Sequence, residues 1–154
     1  MAENLCIRSA ALADANAISR LIIQTLIEVN TKDYPDSVIR EVIQNFSEEK
    51  IIERMKLRRI FVITNRENII GTASLEGTLV KTVFVLPSEQ GKNIGSLLMN
   101  HLENIARKEH IDSLTVQSSL TAEGFYRKIR YKVLRNEYYG KEKTIIMEKS
   151  LNYP

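Results

Sequence analysis

The chain has 154 residues, with 22 Lys and Arg against 19 Asp and Glu (formal net charge +3), and is 44% hydrophobic and 27% charged. That length suits one ordinary domain with a real core, and the composition excludes wholesale disorder and collagen-like repeats. A lone cysteine, Cys6, excludes an internal disulfide framework and a multi-cysteine zinc site, and no run approaches the ~18 consecutive apolar residues of a membrane span.

Leu5 to Arg8 reads as a short strand, with Cys6 as a small buried residue in it. Ser9 to Ala15 is rich in small residues like a signal cleavage site, but Glu3, Asn4 and Arg8 deny it the preceding apolar region, so a cytoplasmic domain is expected. Ile18, Leu21, Ile22, Leu26 and Val29 recur at helical spacing, in a helix opened near Asp14. Pro35 biases Tyr34 away from helix in the following loop. Val38, Ile39, Val42, Ile43 and Phe46 mark a second helix, and Ser47 can cap a third. The period then changes. Ile60 to Thr64, Ile69 to Glu76 and Leu79 to Leu86 form strands joined by short polar turns, an antiparallel meander stopped by Pro87. Ile94, Leu97, Leu98, His101, Leu102 and Ile105 stripe a long helix, on which His101 is a packed residue. Leu114 to Val116 is a strand, Ala122 to Ile129 a helix, and Tyr131 to Arg135 and Thr144 to Glu148 the closing strands. With no repeat or linker composition, residues 1–154 form one mixed α/β domain.

A pI near 9.0 raises the question of nucleic acid. Most basic residues alternate with acidic ones, as from Glu48 to Lys56, which marks a solvated helix face. The denser patches, Arg54 to Arg59 and Arg127 to Arg135, lack aromatic platforms and helix-turn-helix spacing. No nucleic-acid or membrane partner is expected.

The segment Val83 to Ser96 is a strand, a Gly-containing turn and the start of the long helix. Backbone N–H groups of such a turn converge with those at the helix start and attract an anion. Gly91 and Gly95 let a phosphate approach without an intervening Cβ, and Lys92 adds positive charge. A P-loop does not fit, because Gly91-Lys92 is followed by Asn93; a dinucleotide fingerprint does not fit, because the glycines are four apart.

Gln90-Gly91-Lys92-Asn93-Ile94-Gly95, after a strand ending in Pro87, resembles the pyrophosphate loop of the Gcn5-related N-acetyltransferases, [QR]-x-x-G-x-[GA]. Ser119 to Tyr131 is similar to the family's late helix with its Phe-Tyr pair, here Phe125-Tyr126, and the order of elements matches over nearly the whole chain. The chain departs from the pattern at two positions. Asn93 replaces the usual middle glycine, although Asn is among the residues that visit left-handed backbone. Arg130 replaces a helix-ending glycine, at a steric cost if that position is left-handed.

The resemblance implies an α/β (α+β) fold, a mostly antiparallel mixed sheet of six to seven strands flanked by helices, with a splayed parallel pair at the cofactor site. It implies acetyl-CoA as co-substrate, no metal, and direct attack by an amine of a small molecule or a protein. Val83, Phe84 and Val85 would meet the pantetheine arm through backbone groups, and a backbone N–H near Val85 would polarise the carbonyl. Gln90, Gly91, Lys92, Asn93, Ile94, Gly95 and Ser96 would hold the pyrophosphate, and Ser119 stands where many relatives contact the cofactor arm. Tyr126 would be the general acid, its phenol protonated at neutral pH beside a leaving thiol. Tyr126 also sits at core spacing with Ala122 and Ile129, so packing is its competing role. Glu76, Glu28 and Asp33 are candidate bases by location alone. The alternative function is a catalytically silent CoA-binding sensor or interaction domain. A homodimer is compatible with the resemblance.

Overall fold

A computed structural model describes residues 4–152; the ends of the expected 1–154 domain, 1–3 and 153–154, lie outside the described residues. Strand β1 (Leu5–Ser9) leads through a short 3-10 turn into helix α1 (Ala15–Glu28), followed by α2 (Asp36–Gln44) and α3 (Glu48–Met55). A meander follows of β2 (Arg59–Asn65), β3 (Asn68–Glu76) and β4 (Leu79–Val85). Then come α4 (Ile94–Lys108), β5 (Ser113–Ser118), α5 (Glu123–Lys128) and the hairpin of β6 (Lys132–Tyr139) and β7 (Glu142–Ser150).

Local chemistry accounts for these boundaries. Ser47 caps α3, its Oγ accepting from Lys50 N–H at 3.3 Å. Asp14 opens α1 as its N-cap residue, as expected, but its carboxylate caps nothing in that helix; it accepts from Ala11 N–H at 2.7 Å and pairs with Arg8 at 2.7 Å. The last helix is only six residues long, because Arg130 takes φ +79° and ends it. The closing strands run further than their apolar residues suggested, since Gly140 at φ +63° allows a tight turn between Tyr139 and Glu142. Cys6 is exposed rather than buried, because β1 is an edge strand with one face to solvent.

All seven strands form one sheet in the order β1-β2-β3-β4-β5-β7-β6. Every pairing is antiparallel except β4 with β5, which pairs in parallel at only Leu79↔Thr115 and Val80↔Val116. Alternate β2 side chains reach opposite faces: Ile60 and Val62 pack with α1 and α3, Phe61 and Ile63 in the cluster that contains α4. Helices on both faces explain why β3 is buried at successive residues from Ile70 to Leu75.

Beyond Val80 the two parallel strands diverge. β4 carries a bulge there: Lys81 faces Ser74 and Phe84 faces Thr72, so Thr82 and Val83 together oppose Ala73. Thr82 sits at φ +57°, left-handed backbone that a β-branched residue adopts only under strain. The fold stores this distortion where the sheet opens.

Candidate active site

The opening between β4 and β5 is the mouth of a cavity of about 890 Å³ that runs from α1 and α2 to the start of α4. Val83, Phe84, Val85, Gln90, Gly91, Asn93, Ile94, Gly95, Ser96, Ser119 and Tyr126 all line it. Lys92 does not; its ammonium is half-exposed and lies 3.6 Å from Glu89.

At the α4 end, Gly91 (φ +81°) and Asn93 (φ +65°) both take left-handed backbone, so Asn93 makes the turn a glycine would make. Asn93 is the N-cap residue and its side chain caps nothing. The first intrahelical donor is Leu97, bonded to Asn93 O at 3.1 Å, which leaves the N–H groups of Ile94, Gly95 and Ser96 without helical acceptors. A Cβ at Gly91 would meet no atom within 4 Å, whereas one at Gly95 would lie 3.0 Å from Cζ of Phe125. Gly95 is thus required by the aromatic ring beside it as well as by any anion in front. Gln90 turns its amide back to donate to Val85 O at 3.1 Å, tying the loop to β4.

The ladder register directs Val85. Leu86 N–H donates to Ile70 O at 2.9 Å, so by antiparallel alternation Phe84 bonds Thr72 and Val85 turns its N–H and C=O away from β3. On that side β5 has already diverged. The carbonyl takes Gln90 and, at 3.4 Å, the hydroxyl of Thr25, while the N–H points into the opening.

Tyr126 is 3% exposed and stacked edge-on between Phe125 (5.1 Å) and Tyr131 (5.7 Å). Its hydroxyl has no hydrogen-bond partner among the described residues, and burial pushes its pKa up, so the phenol keeps its proton throughout the physiological range. Ser119 organises the approach to α5: its Oγ accepts from Ala122 N–H at 3.1 Å.

Tyr34, Glu142 and Glu89 are among the cavity residues that sequence reasoning missed. The Tyr34 hydroxyl donates to Lys143 O at 2.9 Å and accepts from Leu120 N–H at 2.7 Å, joining the α1–α2 connection to β7 and to the loop before α5. The sequence offered Asp33 and Pro35 in that loop, but not Tyr34. Glu142 and Glu89 are the carboxylates of the cavity lining. Glu89 pairs with Lys92, whereas Glu142 has no ion pair or hydrogen bond among the described residues, and burial raises its pKa. The expected base candidates lie elsewhere: Glu76 is near Arg58 and Lys81, Asp33 accepts from Thr121, and Glu28 lines a separate shallow depression. His101 packs edge-on against Phe61, as expected, and burial lowers its pKa. Among the described residues no helix is long and apolar enough to cross a membrane, and no group of three His, Cys, Asp or Glu side chains converges as metal ligands would.

Comparison with known proteins gives concordant results. Residues 30–151 match the family model for the acetyltransferase (GNAT) domain. An uncharacterized N-acetyltransferase of Chlorobaculum tepidum is 30% identical over 143 residues, 90% of this chain and 82% of that protein. A crystal structure of a GCN5-related N-acetyltransferase from Rhodopseudomonas palustris superposes with a TM-score of 0.90 at 22% identity, covering 97% of this chain and 98% of that one. The PaiA N-acetyltransferase of Thermoplasma acidophilum, solved with coenzyme A, gives 0.78 at 20% identity, covering 97% and 99%. With that family match, the opened β4–β5 pair and the uncapped start of α4 at its end, the chain belongs to the Gcn5-related N-acetyltransferase (GNAT) family.

Proposed function

We propose that the protein transfers the acetyl group of acetyl-CoA to a primary amine by direct attack within this cavity. The observation that carries the reading is the pairing of an anion cradle with a protonated phenol in one cavity. The donor set fits the pyrophosphate: three helical N–H groups without acceptors, reached past Gly91, where no Cβ intrudes. Relatives of the same fold, PaiA and YncA of Salmonella typhimurium, were solved with coenzyme A and acetyl-CoA respectively. Bound here, acetyl-CoA supplies a thioester whose carbonyl carbon accepts the amine and whose sulfur leaves as a thiol.

The chain's own residues then divide the work. Val83 and Val85 offer backbone groups to the extended arm, whereas Phe84, whose own N–H and C=O face Thr72 in the ladder, lines the cavity without a backbone group to give, contrary to expectation. The Val85 N–H donates to the carbonyl oxygen as negative charge grows there. Tyr126 gives its proton to the departing sulfur, which needs it only as the C–S bond breaks. Glu142 accepts the proton that the attacking nitrogen loses, directly or through water; its raised pKa makes it a better base than an ordinary glutamate. A cytoplasmic setting belongs to the same reading.

The silent CoA-binding alternative drew support from Asn93 and Arg130. Asn93 takes the left-handed turn a glycine would take, and Arg130 is exposed just beyond the end of α5 and does not line the cavity, so neither observation favours it. A thiol-release assay over an amine panel, with acetyl-CoA titrated calorimetrically beside it, tests the proposal. Binding with turnover of at least one amine is expected; tight binding with no turnover on any amine would overturn it.

A further inference from the structure

The cavity has a second end, and its charge is unlike that of the first. Arg58 N–H donates to Arg54 O at 3.0 Å, so the two arginines stand one helical turn apart at the end of α3, and both line the cavity. Arg54 Nη1 and Arg58 Nε are buried with no hydrogen-bond partner among the described residues, and no other described side-chain nitrogen or oxygen shares that condition. The Arg58 side chain is only 11% exposed. Lys81, at the start of β4, lines the same end.

Little negative charge balances these three cations. Glu76 lies 3.4 Å from Arg58 Nε, without hydrogen-bond geometry, and 3.7 Å from Lys81 Nζ, and its side chain is 44% exposed. Glu53 acts on Arg54 through its charge alone. Burial and the neighbouring Arg58 both work against the charge on Arg54. Buried guanidinium N–H groups without acceptors are costly, so each calls for a partner from outside the chain, and a bound oxyanion is the one that offers the strongest, bidentate pairing. Arg54 also lies over an aromatic ring, its guanidinium carbon 4.9 Å from the centroid of Phe46, whose ring stands edge-on to Phe84 at 6.0 Å.

This end is not the pyrophosphate end. Lys81 and Val85 face Ser74 and Gly71, three residues of β3 apart across the bulge, about 10 Å along the strand, and the Gly91–Gly95 loop joins β4 beyond Val85. We infer that the amine acceptor is a small molecule that also carries an oxyanion, a carboxylate or a phosphate, and that Arg54 and Arg58 bind that group. The inference rests on the acetyl-transfer reading above and names its substrate class. A planar guanidinium fork fits either oxyanion, and the same cations repel a polyamine.

The test compares glycine, β-alanine, glutamate and phosphoethanolamine with the corresponding amino-acid amides and spermidine, in the thiol-release assay and by calorimetric titration of each amine into the protein. Oxyanion-bearing amines should exceed the amides and spermidine by about tenfold or more in kcat/KM, and whether carboxylates or phosphoethanolamine lead identifies the oxyanion. Arg54→Gln and Arg58→Gln should each remove most of that advantage while acetyl-CoA binds as before, and Arg58→Lys should restore part of it. Thermal melts confirm that each variant is folded. Equal or better turnover of amides or spermidine overturns the inference, as does a loss confined to acetyl-CoA affinity. If acetyl-CoA binds but no amine is turned over, the acetyl-transfer reading fails by itself. The titrations then decide this inference: oxyanion-amine binding lost in Arg58→Gln supports it, and no such binding overturns it.

Discussion

The ring of Tyr131 stands edge-on to that of Tyr126, at 69° with centroids 5.7 Å apart, across the hydrogen-bonded end of α5. Tyr131 N–H donates to Tyr126 O at 2.9 Å and Arg130 N–H to Arg127 O at 3.1 Å, the paired bonds of a Schellman cap. The Tyr131 hydroxyl in turn donates to Glu103 at 3.0 Å, and Lys149 holds the other oxygen of that buried carboxylate at 2.9 Å. Tyr126 is therefore braced through its backbone and ring, while its hydroxyl has no partner among the described residues.

This makes Tyr126→Phe unusually informative. Turnover should fall by about 10²–10⁴, mostly in kcat, the usual worth of a general acid. Stability should hardly change, because no hydrogen bond is lost; a buried structural hydroxyl would instead cost ~1 kcal/mol. Kinetics and a thermal melt on one preparation read both quantities, and near-normal kcat with a lowered midpoint would return Tyr126 to the core.

Arg130→Gly should stabilise the protein. At φ +79° a side chain costs roughly 1–2 kcal/mol that glycine avoids, offset in part by the greater freedom glycine gives the unfolded chain. A net gain of about 1 kcal/mol corresponds to a rise of about 2–4 °C in Tm for a chain of this size. Differential scanning calorimetry checks it, and activity should be retained.

The two loop glycines should separate in their effects. Gly91→Ala strains a left-handed residue but touches nothing, so it should raise KM for acetyl-CoA by about tenfold with kcat nearly intact. Gly95→Val drives its side chain into Phe125 and through it disturbs Tyr126, so kcat should fall together with acetyl-CoA affinity. Steady-state kinetics with varied acetyl-CoA distinguish the two patterns.

Glu142 predicts a pH dependence of definite sign. Burial raises its native pKa above that of an ordinary glutamate near 4.3. The folded state therefore holds the proton to higher pH than the unfolded state does. Its contribution to stability is full below about pH 4.3 and is lost as pH rises through the raised native value. Activity runs the other way, since the ionised carboxylate is the base: kcat/KM should drop as pH falls through that same value. Glu142→Gln should lower kcat/KM and erase this acidic limb, leaving the limb of the acceptor amine. Denaturant melts at pH 7 should find the variant no less stable than the parent.

Much of the architecture was legible because apolar spacing and Pro, Gly and Asn punctuation are local signals. The meander, the long α4 stripe and the Gln90–Gly95 loop all follow from neighbouring residues. The bulge at Thr82 was not legible, since threonine is a poor candidate for left-handed backbone and only the mismatch with β3 reveals it. Tyr34, Glu142, Arg54 and Arg58 were missed as site residues for a related reason. They reach the cavity from elements far apart in the chain, and their short-range pattern is that of solvated loops and helix faces. Cys6 was misread because alternation predicts sidedness only when both neighbours of a strand are known, and β1 is an edge.

The brevity of the β4–β5 pairing bears on how the molecule breathes. With parallel rungs at Leu79 and Val80 only, plus the Thr115 N–H donating to Thr78 O at 3.0 Å, the sheet is mechanically two antiparallel panels, β1–β4 and β5–β7–β6, joined along a short seam. Widening that seam sacrifices few backbone hydrogen bonds, whereas separating strands within either panel sacrifices many. Native-state hydrogen exchange should therefore resolve two cooperative units, with amides of β2, β3 and β7 among the slowest and those flanking the seam released first. What holds the panels together across the seam is then chiefly side-chain packing, with α4 and the cluster around Val80, Leu114 and Val116 spanning both.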